Sequence, residues 1–127
     1  MSSILPNDEA LRALASNPDE SIVVMLNLLK FRGEEGAQAY GRYMKNVSKI
    51  LEARGARVVY SGKATELLVG DETWDAIILV EYPSRKVFLE MINSPEYQKA
   101  HVDREQGLER TVLYAMSSMG EGERFSK

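Results

Sequence analysis

The chain has no cysteine and a single histidine, His101, in 127 residues. Without cysteine there is no disulfide, no thiolate nucleophile and no cysteine-ligated zinc or iron–sulfur site, and one histidine excludes a His-cluster metal centre. Basic residues, 16 against 19 acids, are spread along the chain to a net charge of -3. They form no block that would track a phosphate backbone, which argues against a nucleic-acid partner. No window approaches the ~18 apolar residues of a membrane span, and MSSILPNDEALRALA lacks a basic segment leading into an apolar stretch. The expectation is a cytoplasmic protein with no membrane partner. Internal repeats and low-complexity tracts are absent too.

What is present is apolar content of 44%, enough for one core. A single domain over residues 1–127 is expected, with a helical extension at 1–20 and a polar, glycine-containing, flexible tail at 119–127. In the extension, Asn7 suits a helix cap, Asp8 and Glu9 the first turn, and Pro18 the stretch past the end. The run from Ile22 to Phe31 then puts Val23, Met25, Asn27, Leu29 and Phe31 on one face and Ile22, Val24, Leu26, Leu28 and Lys30 on the other. A strand apolar on both faces belongs at the centre of a sheet covered on both sides.

Gly33 to Gly36 read as a turn. Tyr40, Tyr43, Met44, Val47, Ile50 and Leu51 follow at helical spacing, with Gly55 as the stop. RVVYSGKATELLVG reads as an edge strand bent by a bulge at Gly62, and Gly70-Asp71 as a hairpin turn. WDAIILVEYP is again apolar on both faces. Ser84 caps a helix carrying Val87, Phe88, Met91 and Ile92, and Ser94-Pro95 opens another that runs on through Tyr97, His101 and Leu108. TVLYAMSS is the last strand.

Strand, helix, strand, strand, helix, strand is the split βαβ unit, so the expected fold class is α+β and ferredoxin-like (βαββαβ). Strands one and three lie at the centre of a four-stranded antiparallel sheet, with the helices on one face. Four strands with a bare apolar face exceed what a monomer normally shows, so a homodimer with two sheets packed face to face is expected.

The segments VVMLNLLKF, AYGRYM, TWDAIILVEYPS and SPEYQ, followed by a late Asp-Arg pair, resemble in order and spacing the family called domain of unknown function 1330. That family lies within the dimeric α/β-barrel superfamily. The resemblance spans roughly residues 5 to 118. It implies a ferredoxin-like protomer, a dimeric barrel and a pocket between sheet and helices, with no settled activity. This chain departs from the pattern in having Gly55-Ala56 where a Gly-Gly is usual and Asp103-Arg104 where His-Arg is usual. Histidine chemistry at the second position is therefore not carried over. Superfamily relatives include cofactor-independent monooxygenases, lactone isomerases and haem enzymes, so the fold does not choose a chemistry.

Several residues qualify as site candidates. Asn27, a carboxamide amid apolar neighbours, either holds a ligand's polar group or developing oxyanion, or is satisfied by backbone or buried water. His101 titrates nearest neutrality and is the natural general base or, in a haem reading, the axial ligand; its charged neighbours Lys99, Asp103 and Arg104 point the other way, to a solvated face. Asp75 is an acid or base if desolvated, and a turn-capping residue otherwise. Trp74 stacks on a ligand or plugs the end of the sheet. Tyr40, Tyr60 and Tyr82 suit a pocket wall or a core edge, as do Tyr43 and Tyr114. Arg104 clamps a carboxylate or pairs at the surface. Lys30 reaches solvent along its stem.

Asn27, His101 and Asp75 are thus the catalytic candidates and Trp74, Tyr40, Tyr60, Tyr82 and Arg104 the binding candidates, with no metal and no cofactor. The functional expectation is a pocket for a small organic ligand, serving a cofactor-independent isomerase or monooxygenase-like enzyme. Proton abstraction or isomerisation fits better than hydrolysis, since no nucleophile has a neighbouring base. The alternatives are a non-catalytic dimeric structural or interaction module and a haem-dependent enzyme.

Overall fold

The computed structural model describes residues 5–119. Its elements are α1 (Asp8–Ser16), β1 (Val23–Phe31), α2 (Gly33–Ala53), β2 (Arg57–Lys63), β3 (Ala76–Tyr82), α3 (Arg85–Ile92), α4 (Pro95–Gly107) and β4 (Leu108–Ser117). The sheet order is β2-β3-β1-β4, antiparallel throughout, which is the ferredoxin-like arrangement with β1 and β3 at the centre. Apart from Met119, the expected tail lies outside the described residues. No helix among them is long and apolar enough to cross a membrane.

The face of β1 that meets the helices is Val23, Met25, Asn27 and Leu29, all buried. Ile78, Val80 and Tyr82 of β3 extend it. Against it pack Tyr40, Tyr43, Val47 and Leu51 of α2, Phe88 and Met91 of α3, and Tyr97 and Ala100 of α4. On the opposite face, Val24, Leu26, Leu28, Ile77, Leu79, Val112 and Met116 are half-buried, and Tyr114 is 62% exposed. Three of the four helix starts match their chemistry, while α2 begins without a side-chain cap. Asn7 accepts from Ala10 N at 2.7 Å, Ser84 from Val87 N at 3.2 Å and Ser94 from Tyr97 N at 3.3 Å, satisfying amides that have no partner within the helix.

Three local expectations need correction. First, Gly33–Gly36 is the opening turn of α2. Gly36 is glycine because α4 crosses there: a β-carbon on it would lie 2.6 Å from the Gly107 carbonyl, and one on Gly107 would lie 2.7 Å from the Gly36 carbonyl. Second, the bulge in β2 falls between Val58 and Tyr60, with Gly62 in regular register opposite Ile77. Gly62 makes room instead for the Tyr60 ring, whose hydroxyl would lie 2.8 Å from a β-carbon there.

Third, no tight hairpin joins β2 to β3. Residues 64–75 form a loop, closed at its base by Ala64 N donating to Asp75 O at 3.1 Å. β3 begins only at Ala76, because Asp75 is held by β1: its amide donates to Leu29 O at 2.8 Å and its carboxylate accepts from Phe31 N at 2.9 Å.

Candidate functional site

A cavity of about 340 Å³ lies between the sheet and the helices. The sheet supplies Met25, Asn27, Ile78, Val80, Tyr82 and Leu113. α2 adds Tyr40, Tyr43, Met44, Val47 and Leu51, α3 adds Phe88 and Ile92, and α1 adds Leu11. α4 contributes Tyr97, Gln98, His101, Arg104 and Glu105, and with Arg104 and Glu105 the charged side chains of the wall. Such a mainly apolar chamber with a few convergent polar groups is the usual form of a small-molecule site.

The polar groups cluster around Arg104, which is only 5% exposed. Its Nη2 lies 3.4 Å from Asn27 Oδ1, and the Tyr40 phenol stands on the same cavity wall. Asn27 Nδ2 donates to Met25 O at 3.4 Å and Ile78 O at 3.3 Å. These are long contacts, at the weak end of hydrogen bonding, so a ligand oxygen or carbonyl can compete for the amide. The Tyr43 and Tyr97 hydroxyls bond each other at 3.0 Å. Burial pushes the pKa of Tyr40, Tyr43, Tyr82 and Tyr97 up, so all four are neutral phenols near pH 7.

His101 and Glu105 stand one helical turn apart, with His101 Nδ1 2.9 Å from Glu105 Oε1. A carboxylate only accepts, so Nδ1 carries the proton and Nε2 keeps its lone pair, the tautomer a general base needs. Burial first, and the Arg104 charge second, hold the imidazole below its ordinary value of 6.5, against the raising effect of Glu105.

The unfolded chain therefore takes up this proton at a higher pH than the folded one. Stability from the neutral ring is complete above 6.5 and is lost as the pH falls from there towards the folded value. The unfolding midpoint of the wild type relative to His101→Gln is expected to drop on acidification from about pH 7. Thermal denaturation of both proteins across pH 5–7, as a rough window, checks this; a pH-independent difference contradicts it.

Of the residues singled out from sequence, the structure brings together Asn27, Tyr40, Tyr82, His101 and Arg104 on this cavity. Three others lie elsewhere. Tyr60 pairs with Leu79 on the open face of the sheet, because the bulge at Val59 reverses the alternation that would have kept it with Val58. Asp75 is half-buried at the end of β1, bound to Lys30 Nζ at 3.3 Å. Trp74 lies under the Arg110 guanidinium, whose central carbon is 4.4 Å from the ring centroid.

The charged neighbours of His101 misled the sequence reading. Its side chain is only 14% exposed and faces the cavity with Arg104, while Asp103 turns towards Arg42 at 3.4 Å. Glu105, Tyr97 and Gln98 are cavity residues missed as such, while Tyr43 joins Tyr40 and Tyr82 on the wall; the i, i+4 spacing of His101 and Glu105 was a usable signal. No group of three or more His, Asp or Glu among the described residues is placed to hold a metal ion.

Fold and cavity together define a ferredoxin-like α+β protein with a chamber between its sheet and its helices. The chain belongs to the family described as domain of unknown function (DUF1330), whose pattern matches residues 34–117. A protein of unknown function from Rhodopseudomonas palustris, RPA0582, is similar at 31% identity over 94% of this chain and 99% of its own, with a TM-score of 0.87. Two more distant structures share the fold. A Dabb family protein with a ferredoxin-like fold from Mesorhizobium loti has 13% identity over 78% of this chain and 98% of its own, TM-score 0.58. A dimeric protein of unknown function with a ferredoxin-like fold from Bacteroides fragilis has 13% identity over 76% and 96%, TM-score 0.54. No curated protein matches the chain.

Proposed function

We propose that the cavity binds a small organic molecule with an apolar body and one anionic or enolisable oxygen, and that the protein catalyses proton transfer on it without metal or redox cofactor. The observation that carries this reading is the placement of a buried guanidinium and carboxamide, Arg104 Nη2 to Asn27 Oδ1 at 3.4 Å, in the same apolar chamber as the His101–Glu105 pair. A permanent positive charge in a desolvated wall favours an anion or a developing enolate far more than water does.

In this scheme the C–H bond next to a carbonyl breaks, its proton goes to His101 Nε2, and the electron pair moves onto the carbonyl oxygen. Arg104 and Asn27 hold that enolate. Where a C=C bond adjoins the carbon that lost its proton, the enolate is a dienolate and His101 returns a proton to its far end, giving an isomer; exchange of the imidazolium proton with water before that return brings solvent hydrogen into the compound, and the atoms balance with no further reactant. Glu105 keeps the imidazole in its basic tautomer throughout.

The test is hydrogen–deuterium exchange. A panel of small lactones, aromatic acids and quinols, together with β-keto acids, is incubated with the protein in heavy water and followed by proton NMR. At least one carbonyl compound is expected to exchange its α-proton with wild type, and His101→Gln is expected to lower that rate by roughly 10²–10⁴-fold. Exchange by no compound, or exchange unaffected by His101→Gln, contradicts the reading.

The protein is also proposed to work as a homodimer. The open face of β1, β3 and β4 carries Val24, Leu26, Leu28, Ile77, Leu79, Val112 and Met116 between the charged ends at Lys30, Arg110 and Glu81, and a second copy laid upon it excludes that apolar middle from water.

A further inference from the structure

The two ends of the cavity differ in chemistry, and the elements that line it set their separation. Arg104 and Asn27 meet at the level of Ile78, whose carbonyl accepts from Asn27 Nδ2. Tyr82 follows Ile78 by four residues on the same face of β3, about 13 Å further along an extended strand. On α4, Tyr97 precedes Arg104 by seven residues, about 10 Å along the helix axis. Both steps run the same way. Tyr82 pairs with Val23 at one end of β1, while Leu108, the residue after α4, pairs with Phe31 at the other. His101 stands between the two ends, its ring 5.6 Å from that of Tyr97.

The end remote from Arg104 holds three buried phenols with hydrogen to give. The Tyr43–Tyr97 bond uses one proton of that pair, and the second O–H finds no acceptor among the described residues. The hydroxyl of Tyr82, a residue only 5% exposed, has no hydrogen-bond partner among the described residues either. Buried donors without an acceptor are uncommon and costly, and an oxygen brought in by a ligand satisfies them. That oxygen is uncharged. Arg104, at the opposite end, is the one lysine or arginine on the cavity wall, so a carboxylate among the phenols would lose its water and meet no cation.

We infer that the ligand carries a second, neutral oxygen at the end remote from its anionic or enolisable group, and that Tyr82 and the Tyr43–Tyr97 pair receive it. The substrate class is an elongated carbonyl compound or acid with a ketone, ester or ether oxygen at its far end and an apolar body between. This deepens the reading of the cavity proposed above and rests on it.

Isothermal titration calorimetry with three acids that need not react tests it: phenylacetate, 4-acetylphenylacetate and 1,4-phenylenediacetate. The acetyl compound is expected to bind wild type roughly fivefold tighter than phenylacetate, and roughly fivefold tighter than the diacid. Tyr82→Phe keeps the ring against Phe88, and Tyr43→Phe with Tyr97→Phe keeps both rings of the pair, so only hydroxyls are lost. In at least one of these variants, verified as folded by circular dichroism, the advantage of the acetyl compound is expected to shrink to about twofold or less. Equal constants for the acetyl compound and phenylacetate in wild type, or an advantage undiminished in both variants, overturn this inference and leave the cavity reading in place. A diacid that binds as tightly as the acetyl compound overturns the neutral oxygen. Binding of none of the three overturns both the inference and the cavity reading beneath it.

Discussion

Arg104→Met is expected to abolish catalysed α-proton exchange, by roughly 10²–10³-fold, and to remove binding of carboxylate ligands while the chain still folds. Methionine keeps most of the apolar stem in the same slot, with Ala100 and Tyr97 beside it on α4, so packing survives. What disappears is the charge that favours an enolate. Arg104→Lys is a sharper variant: it retains the charge but not the planar fork, so partial activity is expected. Exchange rates for wild type, Arg104→Met and Arg104→Lys, each verified as folded by circular dichroism, check the order. Equal rates in all three would remove Arg104 from the site.

Gly107→Ala is expected to cost about 2–3 kcal/mol and to lower the unfolding midpoint by roughly 10 °C. The new methyl carbon would meet the Gly36 carbonyl at 2.7 Å and the Tyr40 amide nitrogen at 3.0 Å, both backbone atoms that cannot rotate away. α2 and α4 would have to separate, and they carry Tyr40, His101 and Arg104, so exchange activity is expected to fall along with stability. Gly41→Ala is the matched control. Nothing lies within 4 Å of a β-carbon there, and the position is an exposed helix interior, so alanine should stabilise by about 0.5–1 kcal/mol. Calorimetry of the two variants should give midpoints on opposite sides of wild type.

The fold was legible because its signals are redundant. β1 and β3 are apolar on alternate faces in a way that only a covered central strand tolerates, and Asn7, Ser84 and Ser94 stand where amides need capping. Asn27 was legible for the same reason, as the one carboxamide inside such a run. α4 was harder to read. Its buried stripe is Tyr97, Ala100, Arg104 and Gly107, two small residues and two polar ones, so hydrophobic periodicity carries no message about which side faces in. The Gly36–Gly107 crossing was invisible because Gly36 read locally as part of a turn and Gly107 carried no signal inside its helix, while the reason for both glycines is the partner helix far away in sequence.

Trp74, Asp75 and Tyr60 were misassigned through register. A bulge one residue from Tyr60 turns it over, and a strand start two residues later than expected puts Trp74 in the loop stem. In each case the residue type was suited to a pocket and the backbone sent it elsewhere. The converse holds for Glu105, an ordinary surface residue by type, which becomes relevant only because it meets His101 Nδ1 at 2.9 Å.

Nitrogen-15 NMR of the arginine and asparagine side chains, during titration with the same panel of aromatic acids, lactones and keto acids, tests the central claim most directly. Saturable movement of the Arg104 and Asn27 resonances is expected. The other buried arginine, Arg85, held by Ser117 Oγ at 2.9 Å and absent from the cavity wall, should stay still. If no compound moves Arg104 and Asn27, or if a compound that binds moves Arg85 and leaves those two unchanged, the cavity between sheet and helices is not the ligand site.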